Sequence, residues 1–182
     1  MNYAHDTEFA LSTITALVNT RRRDDDTLTT TAELVEFLDT FEFTGVREGS
    51  RAELASVRAL RTVLRSVWDA PDDVATVEIV NDLLRDAGAT PRLTRHDNWD
   101  WHLHVTPGDA PLHHRLGAEA GMALVDLIRG GDIGRLKVCA APDCDAVLID
   151  LSRNRSRRFC DTGNCGNRLN VAAYRARKAR RA

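Results

Sequence analysis

"RRFCDTGNCGNR", residues 157–168, sets two cysteines with four residues between them amid arginines. Such a pair reads as a redox couple, as one end of a disulfide or as half of a metal site. All four cysteines of the 182-residue chain, Cys139, Cys144, Cys160 and Cys165, fall in its last quarter. They make two pairs of equal spacing, with fifteen residues between the pairs. Two tight bends joined by an excursion are how a chain wraps one ion, and Zn²⁺ takes four thiolates tetrahedrally at about 2.3 Å. A reducing compartment disfavours two disulfides. A thioredoxin-like site wants two residues between its thiols, which neither pair has. The segment Lys137 to Arg168 offers few large apolar residues: Val138, Val147, Leu148, Ile149, Leu151 and Phe159. Units this small usually need a metal or a cross-link to fold. Zn²⁺ is therefore the expected cofactor, with an iron–sulfur cluster and metal-free thiols as the alternatives.

The local structure follows from composition. "KVCAAPDCDAVLID" (137–150) predicts a β-hairpin whose knuckle, around Pro142 and Asp143, presents Cys139 and Cys144. "RRFC" is a short extended piece that delivers Cys160, and Cys165 opens a helix over "CGNRLNVAAYRARKARR". A thiolate at a helix N-terminus is stabilised by free N–H groups and the helix dipole. Knuckle, excursion and helix-borne last ligand predict a treble-clef or ribbon-like four-cysteine zinc finger over residues 135–182.

Working outward, residues 1–134 predict a mainly α body with one β-hairpin. "TEFALSTITALVNT" (7–20) spaces Phe9, Leu11, Ile14, Leu17 and Val18 as a helix does. "RRRDDD" (21–26) is expected to be an exposed loop whose adjacent opposite charges need no partner elsewhere. Thr31 is expected to cap a second helix that turns Leu34, Val35, Phe37, Leu38 and Phe41 inward. "RAELASVRALRTVLRSVWDA" is the clearest amphipathic helix, ended by Pro71, and "VATVEIVNDLLRDAG" starts another, ended by Gly88. "PRLTRHDNWDWHLHVTP" alternates about a turn-like "HDN" and predicts a hairpin with Trp101, Leu103 and Val105 packed inward. His102 and His104 then share the opposite, solvent-facing side; a metal or a catalytic base there is the other reading. "LHHRLGAEAGMALVDLIRGG" returns to helical spacing, terminated by Gly130 and Gly131.

Near-neutral net charge conceals a split. Residues 151–182 hold ten basic side chains and one acid, a net +9, whereas the first 150 carry 15 basic and 26 acidic ones, a net −11. A basic tail on an acidic body suggests a polyanion partner. The N-terminus lacks a basic stretch followed by an apolar one, and no apolar run approaches the roughly 20 residues that cross a bilayer. A soluble, cytoplasmic protein without a membrane partner is expected. No nucleophile elbow, phosphate loop or dinucleotide fingerprint is present, and four cysteines close a zinc shell, so no enzyme is expected.

"CAAPDC", "LIDLSRNRSRRFC" and "CGNR" (165–168) resemble the CGNR zinc-finger proteins. The matching elements are Asp150, Ser152, Asn154, Arg158, Phe159 and Cys160, then Cys165 to Arg168. "TALVNTR", "AELVEFL", "RALRTVLRSV" and "GDIGRLKVC" resemble the N-terminal ABATE-type domain of the same proteins. This chain departs from the pattern at Phe159, where tryptophan is usual, at "DTGN" between the last two cysteines, and at Asn170, where lysine is common. The resemblance implies a stress-induced bacterial transcriptional regulator that binds nucleic acid, DNA rather than RNA. The candidate contacts are Arg155, Arg157, Arg158, Asn167, Arg168, Arg175, Arg177, Lys178, Arg180 and Arg181. Arg158 and Arg168 have a second reading, as donors to the thiolates or to Asp150. The rival function is a protein-interaction module, the finger docking on an acidic partner, on a second copy or on its own acidic body.

Overall fold

The computed structural model describes residues 3–23, 25–95 and 101–180. Its α-helices are α1 (His5–Asn19), α2 (Thr31–Thr40), α3 (Arg51–Asp69), α4 (Asp73–Asp86), α5 (Leu112–Arg129) and α6 (Cys165–Ala179). Three antiparallel ladders join them: β1 (Arg21–Arg22) with β2 (Asp25–Asp26), β3 (Arg92–Thr94) with β4 (His102–His104), and β5 (Leu136–Val138) with β6 (Val147–Ile149). Among the described residues no helix is long and apolar enough to cross a membrane.

Helix α5 is the axis of the body, packed by α1, α3 and α4. Its Leu112, Leu116, Leu124 and Leu127 recur at helical spacing and are buried, and they meet Leu11, Ile14, Leu17 and Val18 of α1 in one core. Gly121 lets α4 approach closely, since a Cβ there would lie 2.7 Å from the Leu84 side chain. Helix α2 is capped one residue earlier than expected, by Thr30. The Glu33 N–H donates to the Thr30 hydroxyl at 3.2 Å, while the Thr30 N–H donates to the Glu33 carboxylate at 2.9 Å. That helix buries Leu34 and Leu38, stacks Phe37 on Phe41 with centroids 4.9 Å apart, and leaves Val35 exposed rather than inward.

Two expectations fail for a common reason, a partner distant in sequence. "RRRDDD" is no free loop: β1 and β2 pair within it. Asp26 accepts from Arg61 Nη1 at 2.7 Å and Nη2 at 2.8 Å, and from Arg58 at 3.1 Å. Arg61 is itself buried in α3, and its hydrogen bonds to Asp26 hold that carboxyl well below the usual range. In the second hairpin Leu93 pairs with Leu103, as the alternation requires. Yet Trp101 is exposed, under the Arg95 guanidinium at 5.4 Å, and His102 and His104 turn into a cavity of the body rather than to solvent. The "HDN" turn lies outside the described residues.

The C-terminal hairpin is built into the body. Asn19, at the end of α1, donates its amide to the Val147 carbonyl at 2.8 Å and accepts the Val147 N–H at 2.8 Å. A side chain thus completes the strand edge that β5 leaves open. Arg65 donates to the Asp145 carbonyl at 2.7 Å and Trp68 to the Leu148 carbonyl at 3.2 Å. Val147 and Ile149 enter the main core while Leu148 points to the cysteine cluster. Replacing Asn19→Ala strands two buried backbone groups at about 1–3 kcal/mol each, so a loss on the order of 2–6 kcal/mol is expected in urea unfolding.

Candidate functional site

The four cysteines come together through backbone geometry. Cys139 follows β5 and its N–H donates to the Ala146 carbonyl at 2.8 Å, which prolongs the ladder to the knuckle. There the Cys144 N–H turns back onto the Ala141 carbonyl at 3.1 Å. The Ala140 N–H donates to the Arg158 carbonyl at 2.8 Å, which lays the returning limb beside the knuckle and places Cys160. Asn164, in left-handed conformation with φ 47°, swings the chain into α6, whose first residue is Cys165. Gly163 passes so close that a Cβ would lie 3.0 Å from the Cys165 sulfur.

All four sulfurs lie within 4.8 Å of one another, which makes them a candidate metal site. Cys160 Sγ is 3.7 Å from both Cys144 Sγ and Cys165 Sγ. A tetrahedron with metal–sulfur bonds of about 2.3 Å has edges of about 3.8 Å, so the pocket of sulfurs already has the size of a four-thiolate shell. Burial works against ionisation at two of the four: it pushes the Cys160 thiol up to about 12 and raises Cys144. Cys139 is the exception. Burial raises it, but N–H donors from Cys160 and Ala141 outweigh that and leave it lowered. Those donors, with Arg168 Nη2 at 3.5 Å from Cys165 Sγ, are positioned for thiolates.

The excursion between the cysteine pairs is folded around Asp150, which is fully buried. Lys137 Nζ donates to it at 2.6 Å, as do the Ser152 N–H at 3.0 Å and the Arg157 N–H at 2.8 Å. Burial would raise this carboxyl, but the Lys137 and Ser152 bonds prevail and set it at about 2. Asp150 thus takes Lys137, Ser152 and a backbone N–H, not Arg158 or Arg168 as one reading had it.

The basic residues divide in two. Arg155 pairs with buried Asp132, Arg157 with Asp161, and Arg168 with Asp143 at 2.9 Å, while Arg158 lies over the Phe159 ring at 5.9 Å. Arg175, Arg177, Lys178 and Arg180, with Asn167, line exposed faces of α6 and form no ion pair among the described residues. Arg181 lies outside the described residues. The same helix exposes Val171 and Tyr174.

His102 and His104 stand with their Nε2 atoms 3.2 Å apart on the wall of the cavity in the body. Sequence reasoning missed its companions Asp6, Glu119 and Asp126. They come from helices about a hundred residues apart, and no local spacing signals their convergence.

A helical body fused to a four-cysteine knuckle-and-helix finger defines the class of protein. Residues 11–131 match the ABATE family, described as "Putative stress-induced transcription regulator", and residues 135–178 match the CGNR zinc finger. The first match spans more than half of the chain, so the protein belongs to the ABATE family and carries a CGNR zinc finger after that domain. No curated protein matches it significantly.

The sulfur geometry predicts one thiophilic divalent ion per chain. Titration with Co²⁺ is expected to give sulfur-to-metal charge-transfer absorbance that saturates at one equivalent. A structural ion contributes about 10–16 kcal/mol over four ligands, so Cys160→Ser is expected to weaken binding by about a hundredfold. Unchanged affinity would remove Cys160 from the shell.

Proposed function

We propose that this protein is a zinc-dependent, DNA-binding transcriptional regulator of a bacterial cytoplasm, without enzymatic activity of its own. Zn²⁺ is held by Cys139, Cys144, Cys160 and Cys165 and organises a finger, residues 135–182, behind a sensing or dimerising body, residues 1–134. An all-thiolate shell of this size suits zinc and leaves no position for a reacting water. The observation that carries the reading is the bare basic helix that begins at the fourth cysteine. Arg175, Arg177, Lys178 and Arg180 are exposed on it, and among the described residues no acid of the body pairs with them.

The basic residues then serve in two ways. Arg175, Arg177 and Lys178 meet phosphates along the helix and Arg180 at its end, with Asn167 at its start beside the groove and Arg181 as a further basic contact. Arg155, Arg157, Arg158 and Arg168 fix the shape of the finger through their present partners and turn their remaining donors to the same backbone. Duplex DNA fits this arrangement better than RNA, since a single straight basic helix matches the major groove and would not enter the narrow one of A-form RNA. A second reading rests on Val171 and Tyr174, apolar side chains exposed midway along the basic helix. They suit a protein partner or a second copy of this chain, with the arginines on an acidic rim.

Fluorescence anisotropy of labelled duplex DNA with the full zinc-loaded chain tests the proposal. Five phosphate contacts give a slope near −4.5 in log K against log salt. Reversing Arg175, Arg177, Arg180 and Arg181 to Glu is expected to abolish binding while circular dichroism and zinc content stay as they are. Unchanged affinity would overturn the DNA reading, and tighter binding to single-stranded RNA than to the duplex would reassign the ligand.

A further inference from the structure

The body holds an open cavity of about 150 Å³ between the first half of α1, the chain after α2, strand β4 and the middle of α5. Phe9, Phe43, Leu103, Val105 and Met122 make its apolar walls. Its charged lining is of one sign: Asp6, Glu42, Glu119 and Asp126. Among the described residues neither lysine nor arginine lines it. The nearest cation, Arg115, is turned away: its guanidinium donates to the carbonyls of Thr44, Val46 and Ala110, and it lies over the outer side of the Phe43 ring at 5.3 Å.

The carboxylates differ in what they already hold. Asp6 accepts the N–H groups of Thr7 at 2.9 Å and Leu103 at 3.2 Å, and Asp126 accepts the Thr7 hydroxyl at 2.8 Å. Glu119 accepts no hydrogen bond from a described residue. Its side chain is exposed to water through the lumen, and the protein packed beside it still desolvates the carboxyl enough to push it up to about 7. The charge of Arg115 opposes the rise and that of Asp6 adds to it.

Three occupants can be compared on these terms. An anion would face four carboxyl groups. A neutral apolar molecule would cover Glu119 without giving its carboxylate a partner. A cation with an apolar body satisfies both walls, its charge on Glu119 and its body against the aromatic and aliphatic side chains. Cavities of about 150 Å³ hold one benzene ring.

We propose that this cavity binds a small organic cation, an ammonium group on a single-ring or short-chain apolar body, with Glu119 as its charge partner. The assignment gives the body a ligand and stands apart from the nucleic-acid reading of α6, because its test reads binding in the cavity alone.

Binding is linked to protons. The cation takes Glu119 as carboxylate, so a proton leaves as it enters, and affinity for Glu119 rises about tenfold between pH 6 and pH 8. Asp6, Glu42 and Asp126 face the same lumen. His102 and His104 line it as well, and the charge of Arg115 acts on Glu119 from beside it. A Glu119→Gln variant separates the carboxyl from the imidazoles. The raised acid also destabilises the fold as pH climbs from its unfolded value near 4.3 through about 7. Glu119→Gln is therefore expected to melt above the parent at pH 8, which shows that the variant is folded.

The experiment is an NMR titration of the full zinc-loaded chain with benzylamine, benzyl alcohol and benzoate at pH 6 and pH 8. Benzylamine is expected to shift resonances of the lining residues and to bind at least about tenfold tighter than the alcohol at pH 8, with benzoate inert. In Glu119→Gln its affinity is expected to fall to that of the alcohol, with the pH dependence reduced. Equal binding of amine and alcohol, preference for benzoate, no shifts with benzylamine at millimolar concentration, or an unchanged affinity in the variant would each overturn the proposal.

Discussion

Strand β6 has three residues, and everything else in the C-terminal half depends on where their groups go. Its backbone must be paired on both edges, because Val147, Leu148 and Ile149 are all buried. Strand β5 takes one edge, and the Asn19 amide takes both Val147 groups on the other. Alternation along the strand then sends Val147 and Ile149 into the helical core and Leu148 into the cluster of cysteines. One short strand is thus the wall shared by two cores, and the sulfur site is as well placed as that wall is rigid.

Charge is sorted by the same junction. Cations of the body bind oxygens of the knuckle: the Arg23 guanidinium donates to the Pro142 carbonyl at 3.2 Å and Arg65 to the Asp145 carbonyl, while the backbone N–H of Arg23 meets the Asp145 carboxylate at 2.8 Å. In the other direction Arg155 of the excursion reaches buried Asp132, which Tyr3 also holds at 2.6 Å. These crossings fasten the finger by its hairpin and its excursion. Among the described residues helix α6 takes no part in them, and beyond Arg168, which pairs with Asp143, its positive charge is left whole although the first 150 residues carry −11. Net charge attracts over a distance, but contact requires shape, and the fold directs this helix outward.

The finger was legible because its constraints are local. Ligand spacing, a knuckle proline and a helix opened by the last cysteine all lie within thirty residues, and the resemblance to a known finger rests on the same stretch. The body helices were legible for a similar reason, as a 3.6-residue period repeats within each. What failed depended on partners elsewhere. A strand period of two says that His102 and His104 share a face, but not which face the rest of the chain covers. Val105 is buried as the alternation requires, but Trp101 is exposed, and the cavity is lined from both faces of the strand. Likewise "RRRDDD" offers every charge a neighbour, and only α3, arriving with Arg61, singles out Asp26. Nor does anything mark Asn19, a polar residue at a helix end, as the completing edge of a strand 128 residues away.

Helix α1 connects the two regions that carry chemistry. Asp6, Thr7, Phe9 and Ala10 line the cavity with its first turns, and Asn19 holds β6 with its last. Thirteen residues at 1.5 Å each separate Asp6 from Asn19, about 20 Å along a stiff axis. Packing against α5 and α3 fixes this helix on its sides, so its remaining freedom is to slide or tilt. Hydrogen bonds tolerate little of either: the two bonds from Asn19 are both 2.8 Å, and a slide of half an ångström or more would stretch both beyond the usual range. The cavity and the finger therefore share one rigid element and no common surface. Any influence of one on the other is bounded by the free energy of the contacts that α1 makes at its two ends.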